Sequence, residues 1–334
     1  MEFISYILIA AVYPLLRLIT PSDQFFILSF VGSAFIAVGF YFWSRRHRKT
    51  TMRGLWRYMV PRKLYRHAST IVDLKIFIFI SIYFIIQTLV LLSLAPEVRD
   101  IISAAMSSTF GDPANIAAPI VVIGILIVTF DLLAVEFGYW YGHYLLHRVP
   151  WLWEFHKVHH SAEVLTPLTE WRQHPVELFL VPMIISLATG VVHGIAGWVF
   201  GDSAAMIKLW NVNIALLFFG YTLLHLRHTH VKLAATGFLG KLIQSPAHHQ
   251  VHHSADPKHH DKNLGLYLSV WDWAFGTLFI PEKNQKLEFG LDEKDEAFET
   301  LTGSMVEPVK RAAVVVSPKP AGEATADPVQ PSTS

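Results

Sequence analysis

Histidines at helical spacing dominate the middle of this chain. Five of them fall within eighteen residues: His143, His147, His156, His159 and His160. Residues three or four apart share one face of a helix, so the first two point the same way and the last three form a single face. The pattern His-x-x-His-His returns about a hundred residues later as His249, His252 and His253. Imidazole sets of this kind predict a metal site.

The number and type of these ligands favour two metal ions. Eight imidazoles exceed the four ligands of a tetrahedral zinc ion, and the chain has no cysteine, which excludes a cysteine-bound iron–sulfur cluster. Hydrolytic two-zinc sites normally use bridging carboxylates, and none lies within the motifs. Haem ligands usually sit singly on separate helices. An all-imidazole di-iron centre that activates O₂ fits the ligand set best.

Composition indicates a membrane protein. The chain of 334 residues is 52% hydrophobic and 16% charged, against about 25% charged residues in soluble domains. Apolar runs long enough to cross a hydrocarbon core of about 30 Å occupy residues 25–43, 74–95, 118–142, 178–200 and 206–226, with a weaker candidate at 3–20. The last two form a hairpin that either spans the membrane or is re-entrant. We therefore expect an all-α integral membrane protein in which two or three transmembrane helical hairpins support a cytosolic helical cap with the two-metal site.

Charge predicts the orientation of these segments. Residues 44–67 carry nine lysines and arginines and no acidic residue, which is typical of a cytoplasmic loop. The loop 96–117 contains Arg99 as its sole lysine or arginine, as expected on the opposite side. This topology brings every histidine motif to the cytoplasmic face of a bacterial inner membrane, or of an ER-type membrane in a eukaryote. The net charge of +1 gives no support for a nucleic-acid partner.

Three regions follow from these patterns. Residues 1–117 form an N-terminal transmembrane region that includes the basic loop, residues 118–302 form the catalytic domain, and residues 303–334 form a disordered tail rich in Pro, Ala, Ser and Thr.

Over residues 118–280 the motifs resemble the fatty acid hydroxylase/sterol desaturase superfamily of membrane di-iron enzymes. They are His143-x-x-x-His147, His156-x-x-His159-His160, Arg172-Gln-His174-Pro-Val-Glu177, His228-Thr-His230, His248-His249-Gln-Val-His252-His253, Asp261-Lys-Asn263 and Trp271-Asp272. The stretch 245–263 is particularly similar to alkylglycerol monooxygenases. The resemblance implies that the eight histidines bind two irons and that His228 is a ninth ligand. Further metal candidates are His225, His230, His248, His259 and His260.

Other polar residues are candidates for holding the ligand imidazoles. Asp131 and Glu136 precede His143 at membrane depth, where a charge is costly and usually functional. Glu177, Asp261 and Asp272 occupy motif positions, where each either orients an imidazole or caps a helix. Arg172 either pairs with a carboxylate or contacts a lipid headgroup; His174 and Asn263 complete the candidate set.

The expected function is O₂-dependent hydroxylation or desaturation of a C–H bond in a fatty acyl, alkyl-ether or sterol lipid. Because the chain has neither cysteine nor a dinucleotide-binding fingerprint, electrons must come from a separate partner: cytochrome b5, a ferredoxin or a reduced pterin. Two alternatives stay open at this point. One is a membrane metal-binding or metal-transport protein, and the other is a catalytically inactive, lipid-binding relative.

Overall fold

The computed structural model describes residues 16–21, 26–81, 84–201, 204, 208–209, 212–282, 285–291 and 293–317. Within these ranges the chain is mostly helical, which confirms the predicted helical class. The α-helices are α1 Ile27–Ser44, α2 Met52–Met59, α3 Arg62–Tyr65, α4 Ala68–Ile80, α5 Phe84–Phe110, α6 Ile120–Arg148, α7 Pro150–His160, α8 Pro175–Phe200, α9 Ile214–Thr222, α10 Leu224–Arg227, α11 Gly237–Leu242, α12 Pro246–His252, α13 Val270–Phe275 and α14 Leu301–Val316. Single 3₁₀ segments cover Pro167–Trp171, Pro257–His259 and Glu296–Glu299, and two short strands, β1 Lys208–Leu209 and β2 Val212–Asn213, pair antiparallel.

Three helices in the described part of the chain are long and apolar enough to cross a membrane. They are α1, α6 and α8, with 18, 29 and 26 residues. At 1.5 Å per residue, each comes close to or exceeds the hydrocarbon thickness of about 30 Å. These helices coincide with three of the predicted spans.

Helix α8 is the centre of the apolar bundle, packing along both α5 and α6. Two glycines permit the close approach. A Cβ on Gly138 of α6 would lie 2.6 Å from the Ile185 Cα, and one on Gly190 of α8 would lie 2.6 Å from the Val98 Cβ. Small residues at such crossings allow helix backbones to come together in a membrane.

The helices that carry the histidine motifs have well-defined ends. Pro150, Pro175 and Pro246 occupy the first positions of α7, α8 and α12, where the missing N–H costs nothing. At α8 the His174 Nδ1 also accepts a hydrogen bond from the Val176 N–H and caps the helix. Helix α6 ends at Arg148, two residues before Pro150, so its last two turns present His143 and His147 next to α7.

A buried apolar cluster fastens this region to the N- and C-terminal parts of the chain. Its members are Val72, Ile76, Ile80, Val158, Trp171, Leu178 and Phe298. They come from α4, α7, the first 3₁₀ segment, α8 and the last 3₁₀ segment. The histidine-bearing helix α7 is therefore held by residues more than a hundred positions apart.

Two predicted features of the bundle differ in the structure. In the described part of the predicted span 206–226, α9, which the Asn213 side chain caps, and α10 form one apolar helical stretch, Ile214–Arg227, which at about 21 Å is shorter than the hydrocarbon core. The predicted loop 96–117 is helical as far as Phe110, because α5 continues through Pro96 and packs against Gly190 and Gly194 of α8. The predicted span 74–95 falls across α4 and α5.

The C-terminal prediction also needs correction. Residues 301–316 form α14, although the sequence indicates a disordered tail from residue 303. The helix is stabilised by a cap at Thr300, which accepts from the Gly303 N–H, and by packing against α7. Residues 318–334 and most of the predicted span 3–20 lie outside the described residues.

Candidate metal centre

Nine histidine side chains converge in two adjacent clusters. The five-histidine cluster consists of His143, His147, His156, His160 and His252. The four-histidine cluster consists of His159, His228, His249 and His253. Within each cluster the candidate ligand nitrogens all lie within 4.8 Å of one another. These nine residues are the eight motif histidines together with His228.

Each His-x-x-His-His triplet contributes to both clusters. In α7, His156 and His160 belong to the five-histidine cluster, whereas His159 belongs to the other. In the second triplet the assignment is reversed, because His249 and His253 join the four-histidine cluster. The clusters meet where the rings of His160 and His253 stack, with centroids 4.7 Å apart. The repeated triplet thus builds two sites side by side.

Carboxylates hold three of the imidazoles by contacts with their Nδ1 atoms. The contacts are His147 Nδ1 to Asp261 Oδ1 at 3.3 Å, His156 Nδ1 to Glu177 Oε2 at 3.0 Å, and His228 Nδ1 to Glu170 Oε2 at 2.9 Å. Since a carboxylate accepts, Nδ1 carries the proton and Nε2 is left with its lone pair. In each ring that lone pair faces the cluster.

Backbone carbonyls orient three further rings in the same way. His143 donates from Nδ1 to Leu264 O at 2.8 Å, His252 to Lys262 O at 2.9 Å, and His159 to Arg172 O at 3.3 Å. Six of the nine imidazoles are therefore held in the tautomer that leaves Nε2 available as a ligand.

Inside the clusters, several Nε2 lone pairs have no hydrogen-bond donor. The Nε2 atoms of His143 and His156 are 3.0 Å apart, and that of His228 lies 3.2 Å from the Nε2 of His159, although all four rings hold their proton on Nδ1. The Nε2 atoms of His147, His160 and His252 are buried without a hydrogen-bond partner. Each such group costs about 1–3 kcal/mol. A cation between the rings removes both penalties, so the residues present fit bound metal ions.

His249 departs from this pattern because an arginine faces it. The fully buried Arg227 donates from Nη2 to His249 Nδ1 at 3.0 Å and to the Tyr139 hydroxyl at 3.1 Å. Burial and the charge of Arg227 lower the pKa of His249 well below its usual range. A neutral ring that accepts at Nδ1 carries its proton on Nε2, so metal binding there must displace this proton or the arginine contact.

Burial keeps the clustered imidazoles in their ligand form. It is the largest cause lowering the pKa values of His156, His160, His252 and His253 well below the usual range, with neighbouring histidines adding to it. Neutral imidazole is the form that binds a metal.

Two of the three flanking carboxylates, Glu170 and Asp261, remain ionised. Burial alone would raise the pKa of Glu170, but Arg227 and His228 outweigh it and lower the value to about 2. The hydrogen bond from His147 is the largest cause that lowers the pKa of Asp261 to about 2, followed among the lowering causes by the bond from Arg148. Both carboxylates therefore add negative charge beside the clusters at neutral pH.

Glu136 and Asp272 act on the backbone rather than on an imidazole. Glu136 accepts from the Tyr267 and Leu268 N–H groups, and Asp272 accepts from those of Leu264 and Gly265 at 2.8 Å. Together they hold the segment 264–268, whose first carbonyl orients His143. Of the predicted carboxylates, Asp131 lies elsewhere in the bundle, where its oxygens are 2.8 Å from His193 Nε2 and from Asn213 Nδ2.

The remaining polar candidates are structural supports. Arg172 pairs with buried Asp73 at 2.9 Å and also donates to Val158 O and Phe298 O, so it is buried in the protein and does not face a lipid headgroup. His174 contacts Met305 O at 3.1 Å, which joins α8 to α14. Asn263, in the left-handed conformation, donates to His248 O and accepts from the Phe279 N–H.

The five further metal candidates lie outside both clusters. His225 contacts Ser29 Oγ at 2.8 Å and stacks on Phe30, and His248 contacts Ser245 Oγ at 2.7 Å. The other three are placed as follows: His230 against the Tyr58 ring, His259 beside the Gln285 amide, and His260 at the wall of a cavity.

Two residues of the site have no counterpart in the sequence prediction. Glu170, two positions before Arg172, contacts His228, and Arg227, directly before His228, contacts His249. Neither carries a distinct local signal, because Glu170 lies in a polar stretch and Arg227 lies among histidines. The partners are 58 and 22 residues away, so spacing alone does not pair them.

Two cavities border the five-histidine cluster. The inter-helix cavity, of about 170 Å³, lies between α6 and α8; Tyr139, His143 and Glu177 line it together with apolar side chains such as Leu178, Val181 and Ile185. The outer cavity, of about 520 Å³, lies on the other side and is lined by three cluster histidines and by polar residues, among them Lys157, Asp261 and Glu293. Glu170 and Gln173 also line the inter-helix cavity, so the five-histidine cluster borders two cavities of mixed lining.

Comparison with known proteins identifies the region that carries this site. Residues 128–277 match the fatty acid hydroxylase family. The chain is 29% identical to human alkylglycerol monooxygenase over 169 residues, which cover 51% of this chain and 34% of that protein. It is 28% identical to the ornithine lipid hydroxylase OlsE of Rhizobium tropici, covering 50% of this chain and 46% of the relative. It is 26% identical to the Delta(7)-sterol-C5(6)-desaturase of Nicotiana tabacum, covering 45% and 48%.

These matches span about half of this chain and less than half the length of the three relatives. No solved structure matches the chain.

Proposed function

We propose that the chain is a member of the fatty acid hydroxylase/sterol desaturase superfamily and that it is a membrane-bound oxygenase that hydroxylates or desaturates a C–H bond of a lipid. Its substrate is a fatty acyl, alkyl-ether or sterol lipid, and O₂ is the cosubstrate. The relatives are named as a monooxygenase, a hydroxylase and a desaturase acting on lipids, which supports this class of reaction.

The observation that carries the proposal is the convergence of nine buried imidazoles on two adjacent positions. Six of them have their Nδ1 proton committed to an acceptor, which leaves Nε2 as the ligand atom. Two iron ions bound there would supply the reduction of O₂ and the oxidation of the C–H bond, a redox chemistry that zinc lacks.

The protein's own groups have two tasks in this reaction. Glu170, Glu177 and Asp261 hold ligand imidazoles in one tautomer and orientation. The carbonyls of residues 172, 262 and 264 do the same from the backbone. Burial of the clusters excludes water, which favours oxidation of the substrate over side reactions.

The inter-helix cavity is the proposed site for the reacting part of the lipid chain. Its walls come from α6 and α8, which are both long enough to cross a membrane, and its apolar side chains suit an alkyl chain. His143 of the five-histidine cluster lies in its wall. A chain entering from the bilayer would therefore reach the metal centre without crossing water.

Two further parts of the proposal concern the surroundings of the enzyme. The histidine site faces the cytoplasm in a multi-pass protein, on the grounds of the basic segment 44–67. A separate electron-transfer partner, whether cytochrome b5, a ferredoxin or a reduced pterin, supplies the electrons.

The test is to purify the chain anaerobically, measure iron per chain, and follow O₂-dependent oxidation of extracted membrane lipids by mass spectrometry. We expect two irons per chain and a lipid product with one added oxygen atom or one new double bond. His252→Ala should abolish both the second iron and the product, whereas His193→Ala, outside the clusters, should leave the iron content unchanged. Stoichiometric zinc with no iron in a biologically active preparation would contradict the proposal.

A further inference from the structure

The outer cavity opens onto one of the two clusters. His147, His160 and His252 line it, and all three belong to the five-histidine cluster. The five-histidine cluster is therefore in contact with a space that water-soluble species can enter.

The same three rings carry the free lone pairs of the site. The Nε2 atoms of His147, His160 and His252 are buried and have no hydrogen-bond partner. The four-histidine cluster differs, because the Nε2 atom of His228 lies 2.9–3.2 Å from those of His159, His249 and His253. Three residues that line the outer cavity thus carry ligand atoms without a hydrogen-bond partner.

The four-histidine cluster is enclosed. Its four residues are 0–3% exposed, and none of them lines the outer cavity or the inter-helix cavity. The ring of His160, which lines the outer cavity, stacks on His253 and separates that cavity from the cluster. On another side the buried guanidinium of Arg227 contacts His249, and it repels an approaching cation.

We infer that the two metal positions differ in access: the five-histidine cluster exchanges its metal with solvent through the outer cavity, and the four-histidine cluster fills and empties only through the five-histidine cluster. This inference rests on the two-metal centre of the proposed function. It makes the outer cavity a metal-loading route and makes His160 the barrier between the two positions.

The charge of the outer cavity is balanced. Its lining includes the carboxylates of Asp261, Glu293 and Asp295 and the ammonium group of Lys157. Arg148 pairs with Asp261 and Arg311 pairs with Asp295, so these charges leave no excess of either sign. The proposed route therefore depends on the ligand histidines in the cavity wall and not on charge.

The test follows metal release from the intact iron-loaded protein in detergent with a water-soluble ferrous-ion chelator, whose absorbance reports each iron removed. We expect two well-separated phases of equal amplitude, a fast one from the five-histidine cluster and a slow one from the four-histidine cluster. Release of both irons in a single phase would overturn the inference.

Histidine variants assign the phases. His253→Ala should remove the slow phase and leave the fast one, whereas His160→Ala should remove the fast phase and speed the release of the remaining iron, because the barrier ring is gone. The opposite assignment would overturn the inference.

A blocking variant tests the route in a chain that keeps all nine histidines. Leu291 lines the outer cavity, so Leu291→Trp should slow the fast phase several-fold without changing the total iron. Val306→Trp, at an exposed position of α14 away from the cavity, is the matched control and should release iron like the parent protein. An unchanged fast phase in Leu291→Trp would contradict the route. A protein that binds no iron would instead contradict the proposed function itself.

Discussion

At the scale of single residues, the site depends on the hydrogen-bond partner at the Nδ1 atom of each imidazole. Glu170, Glu177 and Asp261 accept from Nδ1 and commit the proton there, so the ring presents an unprotonated Nε2 to the cluster. Such partners of a metal-bound histidine typically matter 10–100-fold in metal affinity. Substitution of these carboxylates should therefore lower the metal affinity, which can be measured without an activity assay.

Glu170 offers the clearest test at this scale, since among the clustered histidines it contacts His228, at 2.9 Å. Glu170→Ala should weaken metal binding at the four-histidine cluster by about 10–100-fold, because His228 loses the group that fixes its tautomer and Arg227 loses a nearby counter-charge. Titration of the metal-free protein with Co²⁺, monitored by visible absorption, would measure this.

Two controls sharpen the Glu170 experiment. Glu170→Gln retains an acceptor oxygen and should lose less affinity than the alanine variant. Glu163→Ala removes a carboxylate whose partners are His67 and Lys294, away from both clusters, and should bind as the parent does. Equal affinities of the Glu170→Ala and parent proteins at the four-histidine cluster would show that Glu170 does not support a ligand.

The sequence was sufficient to name the clustered histidines but not their grouping. Spacing places His156, His159 and His160 on one helical face, yet the structure divides them between two clusters. The division depends on where α12 lies against α7, which is a tertiary property. For the same reason Glu170 escaped prediction, because nothing in the local pattern indicates a partner 58 residues further along the chain.

At the scale of elements, short segments matter as much as the long helices. The segment 264–268 has no regular secondary structure, and it is fixed by Glu136 from α6 and by Asp272 from α13. Both carboxylates were expected near the imidazoles or at a helix end. Instead they bind backbone N–H groups of this segment, which then presents the Leu264 carbonyl to His143. The helix that carries the first histidine pair thus also anchors the segment that orients it.

The crossing of α6 and α8 gives a prediction for this scale. A Cβ at Gly138 would lie 2.6 Å from the Ile185 Cα and 3.0 Å from its nitrogen, both backbone atoms that cannot move independently. Gly138→Ala should force the helices apart and destabilise the protein by about 1–3 kcal/mol, with a lower midpoint of thermal unfolding in detergent.

Gly197 of α8 is the matched control for this crossing, because a Cβ there would meet no atom within 4 Å. Gly197→Ala should leave the unfolding midpoint unchanged or raise it slightly, since alanine favours the helix by up to about 1 kcal/mol. If both variants unfold at the parental temperature, close packing at Gly138 does not limit stability.

At the scale of the whole molecule, long-range contacts decide what the sequence leaves open. Apolar length predicts α1, α6 and α8 because a membrane-crossing helix needs only local composition. The prediction failed for residues 301–316, where a segment of weak local signal becomes helical by packing on α7. Arg172 illustrates the same limit: its partner Asp73 lies 99 residues earlier, and their pairing fixes the segment between α7 and α8.

The sidedness of the molecule is the last prediction, and the absence of cysteine makes it accessible. Single cysteines can be placed at three exposed positions: Lys49 in the basic segment, Asp112 before α6, and Lys258 beside the metal centre. Helix α6 runs from near Asp112 to the clusters over 29 residues, about 44 Å at 1.5 Å per residue, which exceeds the hydrocarbon core. A membrane-impermeant maleimide should therefore label Lys49→Cys and Lys258→Cys from the cytoplasmic side of sealed vesicles and Asp112→Cys from the other, with no labelling of the parent chain. Labelling of Lys258→Cys and Asp112→Cys from the same side would contradict a membrane-spanning α6 and, with it, a lipid route along α6 and α8 to the metal centre.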